Sequence, residues 1–253
     1  MFFDTHAHLN DERFDEDRDK LIKSLNENGV SNTCEIGFDI PSSYAAAELA
    51  ERYSFIYAAA GVHPHDTKSM TEEDLNKLRE LLKKEKVVAL GEIGLDYYYD
   101  NSERDVQRSW FVRQLELAKE LGCPVTIHTR DAMEDTINIL KEHGSGDGII
   151  HCYSGSRESA KILLDMGYYI SFAGPVTFKN ANSILEVVKY VPADRILIET
   201  DSPYLAPAPF RGKRNCPLYV AEVAKKVAEL KNMDLDELAE ITLNNAKKVY
   251  RIK

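Results

Sequence analysis

The chain has 253 residues, of which 43% are hydrophobic and 29% charged, and its formal net charge is −10. These values exclude a disordered or fibrous chain and leave room for one large domain; α/β barrels often run about 200–250 residues as a single domain. The acidic balance argues against loose, nonspecific nucleic-acid binding, which Lys and Arg drive through counterion release, but it leaves a local positive site open.

Apolar runs alternate with amphipathic stretches along the whole chain. Residues 1–6 read as a first strand. A helix is expected over 15–28, with Leu21, Ile22 and Leu25 at helical spacing and Gly29 as its C-cap. A strand over 30–37 precedes a helix from Pro41 to about Tyr53, and residues 55–60 form the third strand. Thr71-Glu72-Glu73-Asp74 reads as a capping box that starts a helix to about Lys84. Residues 87–90 are the fourth strand, followed by a helix over 103–121 that Gly122 closes. Strands over 124–127, 148–150, 168–172 and 195–199 alternate with helices over 131–142, 156–166 and 180–190. Two helices, about 216–230 and 234–250, finish the chain. Eight strands alternating with helices predict parallel βαβ units closed into a single-domain (β/α)8 TIM barrel over 1–253. An open doubly wound sheet would carry a Gly-rich phosphate loop after its first strand, where Asp4-Thr5-His6-Ala7-His8 stands instead. The barrel core is expected from Ile36, Ala58, Leu90, Ile127, Ile150, Ile170 and Ile198.

The four cysteines, Cys34, Cys123, Cys152 and Cys216, form no C-x-x-C pair. Met1-Phe2-Phe3 leads straight into Asp4 without a signal-peptide pattern, and no run approaches the ~18 apolar residues of a membrane span. Reduced thiols and a cytoplasmic, monomeric protein with no membrane partner are expected.

The placement of polar residues is the informative feature. Of seven histidines, His6, His8, His63, His65, His128 and His151 fall at or just past the C-terminal end of an expected strand, as do Glu92, Glu199 and Asp201. In a barrel these ends share one face, where active sites are built. His143, near a helix C-terminus, is the exception. Residues two apart on a strand share a face, so His6 and His8 aim the same way and make half of a metal site. His128 and His151 are expected to hold a second ion, with Glu92 between the two pairs as a bridging carboxylate. Asp201 is placed to contact an ion and to accept a proton from the attacking water. Two ions ~3.5–4 Å apart suit hydrolysis. The mixed His/carboxylate set favours Zn²⁺ or Mn²⁺, with Mg²⁺ admissible for a phosphate substrate.

With these residues in place, the sequence resembles the TatD family of metal-dependent deoxyribonucleases. The motifs are Asp4-Thr5-His6-Ala7-His8-Leu9, Gly61-Val62-His63-Pro64-His65, Gly91-Glu92-Ile93-Gly94-Leu95-Asp96, Ile127-His128-Thr129-Arg130, His151-Cys152-Tyr153-Ser154-Gly155 and Glu199-Thr200-Asp201-Ser202-Pro203-Tyr204. The resemblance implies the same ligand set, His6, His8, Glu92, His128, His151 and Asp201. It also implies hydrolysis of DNA phosphodiester bonds, commonly from a 3′ end, with single-stranded DNA or 3′ ends as the partner. His63 would then lie near the substrate phosphate rather than on a metal, and Asp201, Glu92 and His63 form the catalytic set. The family's Glu before Pro217 is Cys216 here, which puts a loop anchor in doubt. A carbonyl hydrolase acting on an amide or ester from the same barrel is the alternative.

Several further residues are candidates for substrate binding. Arg211, Lys213 and Arg214 crowd three cations after the eighth strand, suited to phosphate capture. Tyr97, Tyr98 and Tyr99 read equally as base-stacking or as packing residues. Tyr153 and Tyr204 are expected to line the site, with His65 beside His63. Arg130 is expected to bind phosphate or pair with a carboxylate. Cys152 is expected to face away into packing, and Asp4 either orients a ligand histidine or caps a turn.

Overall fold

Each apolar run becomes a strand of one sheet. The computed structural model describes residues 1–253. Strands β1 (Phe2–Ala7), β2 (Val30–Ile36), β3 (Ile56–Ala60), β4 (Val87–Asp96), β5 (Val125–Arg130), β6 (Gly148–Ile150), β7 (Tyr169–Phe172) and β8 (Ile196–Ile198) pair in parallel, in chain order. The ring closes just past β8. Ala7 bridges Ser202 in parallel, the Asp201 amide donates to the His6 carbonyl, and the His8 amide donates to the Ser202 carbonyl, both at 2.8 Å. Asp4 fastens this seam: its carboxylate accepts from the Thr200 amide at 2.8 Å and from the Thr200 hydroxyl at 2.6 Å. Of its two expected roles, Asp4 therefore takes the cap.

Helices α1 (Arg18–Ser24), α2 (Ile40–Arg52), α3 (Glu72–Leu81), α4 (Arg104–Leu121), α5 (Met133–His143), α6 (Arg157–Asp165) and α7 (Asn182–Tyr190) follow β1 to β7, and α8 (Val220–Lys231) and α9 (Leu235–Val249) follow β8. Thr71 and Asp74 form the expected capping box, and Asp39 with Ser42 forms another at the start of α2. Gly29 and Gly122 take the left-handed conformation at φ 90° and 63°, as helix stops do. No helix is long and apolar enough to cross a membrane.

Three expectations are corrected. The helix expected over 15–28 shrinks to the seven residues of α1, because Asp17, at φ −137° and ψ 8°, leaves the helical region. Around it, the Arg18 guanidinium donates to the carbonyls of Leu9, Asn10 and Asp11, so the preceding segment serves the loop after β1. The fourth strand does not stop at Leu90 but continues through Glu92 to Asp96, paired in register with β5 as far as Asp96–Arg130. Gly94 permits this, since its φ of 140° and its closeness to the His128 carbonyl leave no room for a Cβ.

The third correction concerns the barrel core. All seven expected residues are buried, but Ala58, Leu90, Ile127, Ile150, Ile170 and Ile198 belong to the large cluster packed against the helices. Ile36 alone joins the smaller cluster of Phe3, Cys34, Ala59, Ala89, Ile149, Tyr169 and Leu197, completed by Ala246, Val249 and Tyr250 from the end of α9. The reason is strand alternation. Ile149 stands two residues before His151 and Leu197 two before Glu199, so they share the inward face, while Ile150 and Ile198 face outward.

Candidate metal centre

Glu92 stands in the middle of the mouth, and its two oxygens face two groups of imidazoles. On one side, Oε2 lies 3.3 Å from His6 Nε2 and 3.8 Å from His8 Nε2, with those two nitrogens 3.2 Å apart. Asp201 Oδ1 adds to this side, 3.7 Å from His6 Nε2 and 3.5 Å from His8 Nε2. On the other side, Oε1 lies 2.8 Å from His151 Nε2 and 3.0 Å from His128 Nδ1, with those nitrogens 3.2 Å apart. Asp201 reaches the site in a left-handed conformation at φ 55°, a strained state that the hydrogen bonds of the seam hold in place.

Hydrogen bonds on the far side of each ring fix which nitrogen faces the centre. His8 donates through Nδ1 to the Ile36 carbonyl at 3.0 Å, and His151 through Nδ1 to Glu199 Oε1 at 3.2 Å. His128 is turned over and donates through Nε2 to Asp96 Oδ2 at 3.1 Å. Each ring thereby keeps its other nitrogen facing the Glu92 and Asp201 carboxylates, where it carries a proton in the metal-free site and would offer a lone pair once a cation displaced that proton. His6 stacks on His151, centroids 4.0 Å apart and planes at 14°. Its Nδ1 and Glu199 Oε2 are both buried without a partner, in a group whose ring nitrogens and carboxylate oxygen lie within 4.8 Å of one another.

His63 has the opposite tautomer. Its Nδ1 accepts the His65 amide at 3.2 Å, so the proton sits on Nε2, 3.6 Å from Glu92 Oε1. His63 is therefore a hydrogen-bond donor among rings free to ligate.

The charges agree with this division. Burial raises the Glu92 carboxyl, but the imidazoles of His151, His63 and His6 outweigh it and hold the group well below the ordinary range. Burial lowers His8, yet the hydrogen bond to Asp201 and the Glu92 charge lift it to about 9. His151 is likewise raised against burial by Glu92 and Glu199, and His128 by its hydrogen bonds to Asp96 and Glu92. Burial, joined by the neighbouring His128, His65 and His151 imidazoles, outweighs the pull of Glu92 and holds His63 well below its usual value, so it stays neutral. Without a cation, protons neutralise the buried carboxylates.

A metal fits the place those protons take. A four-coordinate ion with bonds of about 2.0–2.1 Å has neighbouring ligand atoms about 3.3–3.4 Å apart. The separations on the His6/His8 side run from 3.2 to 3.8 Å around that edge, while the His128/His151 side is tighter, 2.8 to 3.2 Å, as hydrogen bonds to Glu92 are. The buried, unpartnered His6 Nδ1 and Glu199 Oε2 are polar atoms left free beside the cluster, as a further ligand or orienting pair would be.

The rim residues sort differently from expectation. Tyr153 is buried and its hydroxyl donates to the Ser156 carbonyl at 2.7 Å, which makes it a packing residue rather than a wall of the site. Arg214 is engaged by Asp17 at 2.7 and 2.8 Å and donates to the Arg13 carbonyl; together with Asn215, which donates to the Thr200 and Tyr204 carbonyls, it anchors the loop that Cys216 left in doubt. Arg211 lies over the Phe178 ring at 4.5 Å, and Lys213 is exposed. His65 donates to Asp96 Oδ2 at 3.0 Å. Tyr204 meets His8 edge-on, and its ring carries the Arg13 guanidinium at 4.2 Å. Cys152 does not turn away: a left-handed φ of 42° takes it out of the strand pattern, and after burial it is the Asp201, Glu199 and Glu92 charges that raise its thiol.

Two orienting carboxylates, Asp96 and Glu199, had no role in the sequence reading. Asp96 lies four residues after Glu92 on the same strand and thus on its face, a signal visible once β4 is taken through to Asp96. Glu199 sits two before Asp201. A third buried carboxylate, Glu35, accepts the Leu9 and Asn10 amides at 2.7 and 2.8 Å and holds the turn beyond His8; nothing in its sequence context marks it.

A (β/α)8 barrel with a His/carboxylate cluster at the strand ends is the architecture of a metal-dependent hydrolase. The family model described as TatD related DNase matches residues 3–251, and the chain belongs to that family. It is 53% identical over the full length of both chains to a Bacillus subtilis protein named uncharacterized metal-dependent hydrolase YabD. It is 40% identical to the similarly named YcfH of Escherichia coli, over 98% of this chain and 95% of that one. The crystal structure of the Escherichia coli TatD homologue YJJV superposes with a TM-score of 0.94 at 31% identity, covering 100% of this chain and 98% of the other.

Proposed function

We propose that this hydrolase cleaves phosphodiester bonds of DNA, from 3′ ends, with two divalent ions held one on each side of Glu92. The observation that carries the reading is the division among the rings: His8, His128 and His151 bind outward through one nitrogen and so keep the other free to ligate at the centre, while His63 accepts through Nδ1 and points its Nε2–H there. A phosphodiester carries a negative charge and a second non-bridging oxygen that a carbonyl lacks, and a neutral N–H donor beside the ligand cluster suits that further oxygen. Two bound ions supply the charge that acidifies a water and steadies the leaving oxygen. His6, His8 and Asp201 would hold the first and His128 and His151 the second, with one oxygen of Glu92 turned toward each group. Asp201, whose side chain keeps 15% of its surface open, accepts the proton of the attacking water. His63 Nε2–H donates to a non-bridging phosphate oxygen. The guanidinium groups of Arg130 and Arg211, laid against aromatic rings at the mouth, supply positive charge in an acidic chain.

The test uses metal-loaded protein with single-stranded DNA labelled at either end, an aminoacyl ester and a dipeptide. Stepwise loss from the 3′ end is expected, with Asp201→Asn removing turnover while strand binding survives. Hydrolysis of the ester or dipeptide but not of DNA would establish the carbonyl reading instead.

A further inference from the structure

Beside β5, Arg130 occupies a corner between two tyrosines. Its guanidinium carbon lies 4.0 Å from the Tyr98 ring centroid and 4.8 Å from that of Tyr99. The two rings stand at 90° with centroids 4.9 Å apart. Tyr98 is 58% exposed and Tyr99 54%, so neither contributes much to the core.

Asp96 gears this corner to the metal centre. Its Oδ1 accepts the Tyr98 and Tyr99 amides at 3.0 and 2.9 Å, while its Oδ2 takes His65 and His128. Asp96 pairs in register with Arg130, but its two oxygens already have these four donors. The Arg130 side chain rests on the rings and makes no ion pair or hydrogen bond. Arg13 on the opposite rim differs. It too covers a tyrosine, Tyr204, but its Nε and one Nη both bind Asp11 at 2.8 Å. The Tyr99 ring meets His65 edge-on at 5.3 Å, and His65 lies 4.3 Å from His63. The corner is thus one ring away from the donor assigned to the scissile phosphate.

We infer that the Tyr98–Arg130–Tyr99 corner is a subsite for one unpaired nucleotide flanking the cleaved bond. The inference rests on the nuclease reading above. With ring faces against its plane, Arg130 presents its in-plane N–H donors to the phosphate next to the scissile one. The base of that nucleotide lies on an open tyrosine face, which a base still stacked in a duplex cannot reach. The ligand is a single strand with a nucleoside beyond the scissile linkage.

A double-mutant cycle on the first cleavage step tests it. The metal-loaded wild type and the Tyr98→Ala/Tyr99→Ala variant are compared on an oligothymidylate and on strands made abasic at one or other nucleotide flanking the first cleaved bond. Stacking of this kind predicts a drop in kcat/KM of about 10- to 100-fold for the variant on the intact strand. At one flanking position, removing the base costs the wild type the same factor and the variant nothing more. Arg130→Met gives a second readout, since its loss disappears on a strand whose neighbouring linkage is an uncharged methylphosphonate. If base removal costs both proteins equally at both positions, or the Arg130→Met loss persists on the methylphosphonate strand, the corner is refuted and the nuclease reading stands. A wild type that cleaves no phosphodiester overturns both.

Discussion

Glu92→Gln is the sharpest probe of the centre, because one side chain is asked to serve two ions. The substitution keeps the shape and removes one negative charge between His151 at 2.8 Å and His128 at 3.0 Å on one side and His6 at 3.3 Å on the other. At an effective dielectric of about 20, a unit negative charge ~2 Å from a divalent ion is worth roughly 16 kcal/mol, most of which offsets the ion's dehydration. The amide oxygen and a replacing water recover part of that, leaving about 3 kcal/mol per ion, or ~100-fold in affinity. Titration calorimetry with Zn²⁺ or Mn²⁺ reads it directly. Wild type is expected to take two equivalents, and the variant to lose affinity for both together. A variant that loses one equivalent and keeps the other at wild-type strength would refute the bridge, since the carboxylate would then belong to one side only.

The protonation pattern predicts proton release on metal uptake, because His8, His128 and His151 are raised above their ordinary values in the metal-free site. Calorimetry in buffers of different ionisation enthalpy checks this, and apparent affinity is expected to climb with pH through about 9, where His8 loses its proton. The sign for stability follows from the same shift. A histidine raised to about 9 stabilises the metal-free fold fully below its unfolded value of 6.5, and that contribution disappears as pH rises through 9. Thermal melts of metal-free protein should therefore weaken from pH 6 to pH 10, and metal should restore them; a flat profile would contradict the assignment. Glu199→Gln is expected to lower affinity by about 10- to 100-fold on both sides, because Glu199 binds His151 Nδ1 and lies within 4.8 Å of a His6 ring nitrogen; an effect confined to one ion would show that it orients His151 alone. Glu35→Gln leaves one of the Leu9 and Asn10 amides without an acceptor and should cost about 1–3 kcal/mol in chemical unfolding.

The fold, and the gathering of the candidate ligands at one mouth, were legible because both are written in spacing. Strand alternation put His6 and His8 on one face, and placement at strand ends gathered His128, His151, Glu92 and Asp201 without any knowledge of contacts. The same rule misled the core assignment, since the apolar residue beside a ligand necessarily faces the other way, as Ile127 does beside His128. Orienting groups were harder to see. Asp96 was hidden by ending β4 at Leu90, and Glu35 acts on a turn 26 residues away in the chain, for which no local pattern exists. The roles of Tyr153 and Arg214 turned on single partners, Ser156 and Asp17, that only the folded chain brings together. Cys152 escaped the alternation rule because its backbone leaves the strand conformation.

Anomalous diffraction from crystals grown with Zn²⁺ or Mn²⁺ bears most directly on the whole account. Two peaks are expected, ~3.5–4 Å apart, with one Glu92 oxygen on each. A lone peak, or a pair of which neither touches Glu92, would contradict it.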